Sequence, residues 1–197
     1  MPADLTIDGD VHWPFITFSN SHDGSAACRV DLTCVRAECR NSIRIGRANA
    51  GGSLSMRHTR NVNARLRSAG DVLGLVDGFT REFRKEVEAL MARTVTGTEF
   101  DALMQDLVGV PEGVTDRIRN NASLREQMVR EFYESPADGG NYKGTAWGVV
   151  NAVNSFELWA APVRGSSSQR QARTLTRLTS GGSLPLTARA AGRLAPR

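Results

Sequence analysis

The chain has 197 residues, of which 40% are hydrophobic and 23% are charged, and this composition is typical of a folded globular protein rather than a disordered one. No apolar run approaches 18 residues, and residues 1–4 are polar and acidic, so we expect neither a transmembrane helix nor a secretory signal. The three cysteines are too few, and odd in number, for a disulfide framework. They predict a reducing, cytoplasmic environment.

Positive charge is concentrated at the C-terminal end of the chain. The formal net charge is +4, but residues 163–197 contain seven arginines and no acidic residue, which leaves −3 on residues 1–162. We therefore predict one domain over residues 1–162 and a basic, partly flexible segment over residues 163–197. Because arginine recognises phosphate and carboxylate groups, this segment predicts association with nucleic acid or an acidic surface; a solvated tail without a specific partner is the alternative. The candidate phosphate ligands in it are Arg164, Arg170, Arg173 and Arg177.

The first third of the chain predicts strands. Residues 1–10 are expected to form a mobile lead-in. Trp13–Phe18 is aromatic and β-branched, and Ala26–Thr33 alternates apolar with polar residues, as half-buried strands do. A dense turn lies between the two segments, so together they predict an antiparallel hairpin. The turn residues are Asn20, Ser21, His22, Asp23 and Gly24.

Helical periodicity begins near residue 61. Apolar residues at intervals of three and four predict a long amphipathic helix over residues 62–93, whose Leu66, Leu73 and Phe83 are expected to pack on the hairpin. Three further helices are predicted: one begins at the capping box Thr96–Glu99, one spans Thr115–Tyr133 and one spans Gly144–Ala160. Strands followed by helices predict the α+β class, with an N-terminal antiparallel hairpin or small sheet.

Two of these helices also carry packing predictions. The residues expected to point inward from the helix over 115–133 are Ile118, Leu124, Met128, Val129 and Phe132. In the helix over 144–160, Trp147 and Trp159 are both expected to pack in the core. The last predicted element is a short basic helix over Gln169–Leu178.

The sequence contains no established catalytic motif. It lacks the phosphate-binding loop, the dinucleotide-binding glycine pattern, the zinc-protease helix and the nucleophile elbow. Cysteine and histidine spacings do not form a zinc pattern, so we expect no metal and no cofactor, and the cysteines are predicted to be small buried thiols. His22 and Asp23, joined by His58 through the fold, form the candidate acid–base set, although His22-Asp23-Gly24 also suits a turn alone.

A polar cluster precedes the long predicted helix. It consists of Arg57, His58, Arg60 and Asn61, with Thr59 between them. Asn61 suits a helix cap, and Arg57 and Arg60 suit an anion-binding site at the same helix N-terminus. Both interpretations stay open at this point.

Three stretches together carry a family resemblance. They are FSNSHDGSAACRV (Phe18–Val30) with VRAECRNSI (Val35–Ile43) after it, MRHTRNVNARL (Met56–Leu66), and GTAWGVVNAVNSFE (Gly144–Glu157). In this order and spacing the chain resembles DUF932, a phage- and plasmid-associated family of unknown function. The resemblance runs from about Phe15 to Leu184.

The resemblance implies mobile-element biology in a bacterial or phage-infected cell, and it implies no established reaction. Family members usually carry a longer region before the first stretch, so the chain resembles a shortened member. We expect this shortening to leave an unpaired strand edge or an apolar sheet face, and hence self-association or marginal stability.

The predicted order of hairpin sheet and long helix is similar, at the level of fold only, to the single-strand annealing proteins of phages. The leading hypothesis is a non-enzymatic, DNA-associated protein that contacts phosphates through arginine and binds or anneals single strands. The alternatives are a protein-interaction or anti-defence factor and an enzyme that uses His22, Asp23 and His58.

Overall fold

A computed structural model of the chain describes residues 5–19, 28–36, 42–43, 53–56, 69–162, 165–169 and 184–195. The strands are β1 (Leu5–Ile7), β2 (Asp10–Ser19), β3 (Cys28–Arg36), β4 (Ser42–Ile43) and β5 (Ser53–Met56). The helices are α1 (Ala69–Ala92), α2 (Gly97–Val108), α3 (Asp116–Glu134), α4 (Ala146–Ser155) and α5 (Pro185–Leu194). A 3₁₀ turn over Gly140–Tyr142 precedes α4, and a π-helical turn over Phe156–Ala160 follows it. Strands followed by helices confirm the predicted α+β class.

The described strands form one antiparallel sheet with β3 at its centre. The order is β1, β2, β3, and the far edge of β3 pairs with β4 along one half and with β5 along the other. The β2–β3 register pairs Trp13 with Val35 and Phe15 with Thr33. The predicted antiparallel hairpin is therefore confirmed, while its turn, Asn20–Gly24, lies outside the described residues.

The expectation of a mobile lead-in over residues 1–10 is wrong for the part that the structure describes. Leu5–Ile7 forms β1, which pairs with β2 across a two-residue turn. In that turn φ is 46° at Asp8 and 83° at Gly9. Positive φ at both central residues defines a type I′ hairpin turn, which Asp-Gly favours because glycine lacks a Cβ. A three-residue strand is too short for its alternation to be detected in the sequence.

Helix α1 joins two compact units, and the division falls between Glu86 and Val87. In the first unit, which contains the sheet, Phe83 is 2% exposed and meets the His12 ring edge-on, with ring centroids 5.3 Å apart. This confirms the predicted contact of Phe83 with the sheet. The predicted contacts of Leu66 and Leu73 stay predictions, and Leu66 lies outside the described residues.

The second unit is organised around α4, in which all ten residues are buried. Helices α3 and α5 both pack against it. The predicted cap of α2 is confirmed, because the Thr96 hydroxyl accepts a hydrogen bond from the Glu99 backbone N–H at 3.2 Å. Helix α3 follows Thr115, as predicted, and ends at Glu134.

Two packing predictions for these helices are wrong. Ile118, Leu124 and Met128 are not inward: they are 47%, 53% and 36% exposed. The buried side of α3 contains Ala122, Val129 and Tyr133 instead, so the helix has a second apolar side that the periodicity alone does not distinguish from the first. Trp159 is 52% exposed because it lies in the π-helical turn, where the wider repeat rotates residues away from the α-helical phase.

Helix α5 lies within the segment 163–197 and was not expected from the sequence. Pro185 begins it, which suits the first helical position because that N–H has no intrahelical partner. Thr187, Ala190 and Leu194 are buried, and only one of these is a large apolar residue. The weak apolar periodicity explains why the helix escapes detection. Apart from Gln169, the predicted helix over Gln169–Leu178 lies outside the described residues.

Candidate nucleic-acid interface

The residues that the sequence nominates as nucleic-acid ligands all lie outside the described part of the chain. They are Arg57, His58, Arg60 and Asn61 before the long helix, and Arg164, Arg170, Arg173 and Arg177 in the basic segment. The family-motif turn Asn20–Gly24 lies outside it as well, and so does the acid–base set of His22, Asp23 and His58. These assignments stay predictions.

Two other arginines of the basic segment are described, and both bind an acidic side chain. Arg193 Nε lies 3.3 Å from Asp106 Oδ2, and Arg189 Nη2 lies 3.6 Å from the same oxygen. Arg189 also donates to the Asp106 carbonyl oxygen at 2.6 Å. Part of the +7 charge of this segment is therefore used to hold α5 against α2 within the second unit.

One face of the sheet displays aromatic side chains to solvent. Trp13 is 40% exposed and Phe15 is 48% exposed, and both occupy the same face because successive strand residues alternate. In the register of the two strands, Trp13 is paired with Val35 and Phe15 with Thr33. We call Trp13 and Phe15 together the aromatic face. Both residues are predicted from the sequence to lie in a strand, but not to form a binding surface. The signal for such a surface is their alternation with His12.

The two rings project from positions two residues apart on one strand. Their Cα atoms are therefore separated by about 6.6–6.8 Å. Exposed aromatic side chains of this kind can stack on bases of an unstacked strand, which exposes π-faces that a duplex keeps covered.

The opposite face of the same strands explains why these rings point outward. Asp10, His12 and Arg36 are at most 1% exposed there, and Arg36 Nε donates to both Asp10 carboxylate oxygens, at 2.8 and 2.9 Å. His12 Nε2 lies 3.4 Å from Asp10 Oδ2. A paired charge cluster of this kind fixes the β2–β3 register, because a slip by one residue would move both charges out of their pairing.

Two buried side chains of the sheet, His12 and Cys34, have shifted pKa values. Burial lowers the pKa of His12, and the attraction of Asp10 opposes this effect only in part. Burial raises the pKa of the Cys34 thiol to about 12, so it stays protonated and unreactive at neutral pH. Cys34 is fully buried, as predicted for the cysteines.

The third family stretch, Gly144–Glu157, has a structural role throughout. Thr145 caps α4 by accepting from the Gly148 N–H at 3.2 Å. Ser155 Oγ donates to Asp138 at 2.6 Å, which joins α4 to the loop before it. Glu157 accepts hydrogen bonds from the first turn of α5. These residues build the second unit around α4 and do not form an accessible site.

Two further findings bear on the class of the protein. Within the described ranges, no group of three or more His, Cys, Asp or Glu residues is arranged to hold a metal ion. None of the helices in the same ranges is both long and apolar enough to cross a membrane.

The chain matches a family model. Neither a curated protein nor a solved structure matches the chain significantly. The family described as a domain of unknown function, DUF932, matches residues 1–179, which is most of the chain. Its match includes the sheet, α1 to α4 and all three stretches that carry the resemblance. The chain therefore belongs to the DUF932 family.

Proposed function

We propose that this chain is a non-enzymatic protein of phage or plasmid origin that binds single-stranded DNA through the aromatic face. The observation that carries the proposal is the pair of exposed rings, Trp13 and Phe15, on one face of the sheet. Exposed large apolar side chains that lie side by side on a sheet are a mark of a binding surface rather than of a solvated one.

Base stacking supplies the affinity in this proposal. A base on an aromatic side chain contributes about 1–3 kcal/mol, and the interaction tolerates any sequence because every base has a π-face. Two rings therefore contribute roughly 2–6 kcal/mol. The Asp10–Arg36 pairing on the opposite face links β2 to β3 before binding, which lowers the cost of ordering the strand that carries the rings.

Arginines supply the phosphate contacts. Arg164, Arg170, Arg173 and Arg177 carry positive charge in a segment without acidic residues, and Arg57 and Arg60 add charge near the start of the long helix. Arg189 and Arg193 are assigned no such role, because they already bind Asp106.

Fluorescence anisotropy with a labelled oligothymidylate tests the proposal. Replacing Trp13 or Phe15 by alanine should weaken binding about 5- to 150-fold each, which corresponds to about 1–3 kcal/mol per ring. The matched control is Trp159→Ala, since Trp159 is 52% exposed but lies in the second unit. A duplex of the same length should bind more weakly. Equal losses in the Trp13 and Trp159 variants would contradict the proposal.

The salt dependence of the same measurement tests the arginine contribution. The triple variant R170A/R173A/R177A should reduce the slope of log K against log [salt] by about 2, at roughly 0.7 per lost contact on a single strand. The double variant R189A/R193A should change the slope less.

Sedimentation of the DNA-free protein and of its Trp13→Ala variant separates DNA binding from self-association. If the unsubstituted protein is a dimer and the Trp13→Ala variant is a monomer, the aromatic face binds a second copy of the chain.

A further inference from the structure

Helix α3 has a second apolar side that the fold leaves uncovered. Leu124 and Met128 are 53% and 36% exposed and are one helical turn apart. Arg117, Asn121 and Arg125 are exposed as well. At 3.6 residues per turn these five residues fall within about 100° of the helix circumference. We call Arg117, Asn121, Leu124, Arg125 and Met128 the α3 basic face.

Two arginines on this face have no ionic partner within the part of the chain that the structure describes. There, neither Arg117 nor Arg125 has an ion pair or a side-chain hydrogen bond. The other arginines of α3 are paired: Arg119 binds Asp116 at 3.0 Å, and Arg130 binds Asp101 at 2.7 Å. Of the four arginines of α3, the two without an ionic partner among the described residues are therefore those that lie beside the exposed Leu124 and Met128.

Acidic side chains of α3 lie elsewhere on its circumference. Asp116, Glu126 and Glu134 are on other sides of the helix by the same 3.6-residue geometry. Glu131 borders the end of the face, and its carboxylate accepts a hydrogen bond from Gln127 Nε2 at 3.0 Å. The α3 basic face thus combines an apolar pair with two cations eight residues apart, about 12 Å along the axis.

We propose that the α3 basic face docks an acidic amphipathic helix of another protein. Leu124 and Met128 would receive its apolar residues, and Arg117 and Arg125 would pair with two carboxylates seven or eight residues apart on the partner. A second copy of this chain fits poorly as the partner. In a twofold dimer the α3 basic face of one copy would meet the same face of the other, and the arginines would repel each other.

Other acidic surfaces fit less well than a helix does. A nucleic-acid backbone would bind the two arginines but would leave Leu124 and Met128 without an apolar partner. An anionic membrane calls for a long apolar stripe, and this face offers two apolar residues. The surface belongs to the second unit and does not depend on the aromatic face or on DNA binding.

Two designed helical peptides test the proposal with the full chain. The first carries two leucines one turn apart and two glutamates eight residues apart, and the second has lysines in place of the glutamates. Titration into ¹⁵N-labelled protein should give saturable shifts of α3 amide resonances with the glutamate peptide only. No shift at 1 mM peptide, or equal shifts with both peptides, would overturn the proposal.

Charge reversal makes the test specific. R117E/R125E should lower affinity for the glutamate peptide about tenfold or more and should create binding of the lysine peptide. The control R119E/K143E has the same change in net charge at exposed positions outside the face, and its affinity should change less than about twofold.

Replacement of the two apolar residues, and two other probes, complete the test. The variant L124S/M128S keeps both arginines and should no longer bind the glutamate peptide. Circular dichroism should show unchanged helix content, because both side chains are exposed. Shifts of the α3 resonances with oligothymidylate or with vesicles of anionic phospholipid, in place of the peptide, would overturn the assignment to a protein helix.

Discussion

Glu157 caps helix α5 from a position thirty residues earlier in the chain. Its Oε2 accepts hydrogen bonds from both the backbone N–H and the hydroxyl of Thr187, each at 2.7 Å, and its Oε1 accepts from the Leu186 N–H at 3.0 Å. A carboxylate at this end of a helix satisfies N–H groups that have no intrahelical partner and lies favourably in the helix dipole. The last residue of the third family stretch therefore fixes α5 to the second unit.

Replacing Glu157 by alanine should lower the free energy of unfolding by about 2–4 kcal/mol, because three hydrogen bonds to a buried carboxylate are lost together. Urea denaturation measures this change. A double-mutant cycle with Thr187→Val should show coupling of about 1 kcal/mol. The control is Glu134→Ala, whose pair with Lys143 is exposed and should contribute less than about 1 kcal/mol. Equal losses in the two glutamate variants would contradict the capping role.

Burial of His12 should make the free energy of unfolding fall in mild acid. Burial holds the pKa of His12 in the folded chain below its usual value of 6.5, so the unfolded chain binds the proton more readily. The contribution of His12 to the free energy of unfolding is fully present above pH 6.5. It declines as the pH falls below this value, by up to about 1.4 kcal/mol per pH unit. Urea denaturation between pH 8 and pH 5 measures the slope. The His12→Gln variant should show a shallower slope, and an unchanged slope would contradict the prediction.

Two glycines should respond in opposite ways to alanine. A Cβ on Gly148 would collide with the Tyr142 carbonyl group and would lie 3.0 Å from the Gly139 carbonyl oxygen, so Gly148→Ala should destabilise the chain by about 2–3 kcal/mol. Gly192 lies in α5 with no atom near the position of a Cβ. There, alanine should stabilise the chain by about 0.5–1 kcal/mol. Thermal denaturation measures both changes; a stabilised Gly148→Ala variant would contradict the packing around α4.

The elements that the sequence predicts well are those with a strong local signal. The β2–β3 hairpin, the Thr96 cap and the start of α3 each follow from alternation, a capping residue or periodicity within one short stretch. Helix α5 could not be predicted in this way. It is held by the distant carboxylate of Glu157 and by small buried residues such as Ala190, and neither gives a local apolar pattern.

The side of an element that faces the core is harder to predict than the element itself. In β2 the buried face contains Asp10 and His12, so polar residues point inward while Trp13 points outward. Pairing of Asp10 with Arg36 on another strand favours that arrangement. In α3 both sides are apolar, and packing against α4 buries Val129 rather than Leu124. Such choices depend on partners far along the chain.

Quenching of Trp13 fluorescence by single-stranded DNA reports directly whether bases stack on the aromatic face. In a Trp159→Phe chain the remaining tryptophans are Trp13, which is exposed, and Trp147, which is fully buried and out of reach of a ligand. Titration with oligothymidylate should quench this chain to saturation, because bases stack on the Trp13 ring. The matched Trp13→Phe chain keeps Trp147 and Trp159 and should show little quenching. Binding by anisotropy without quenching in the Trp159→Phe chain, or equal quenching in both chains, would mean that single-stranded DNA does not bind at the aromatic face.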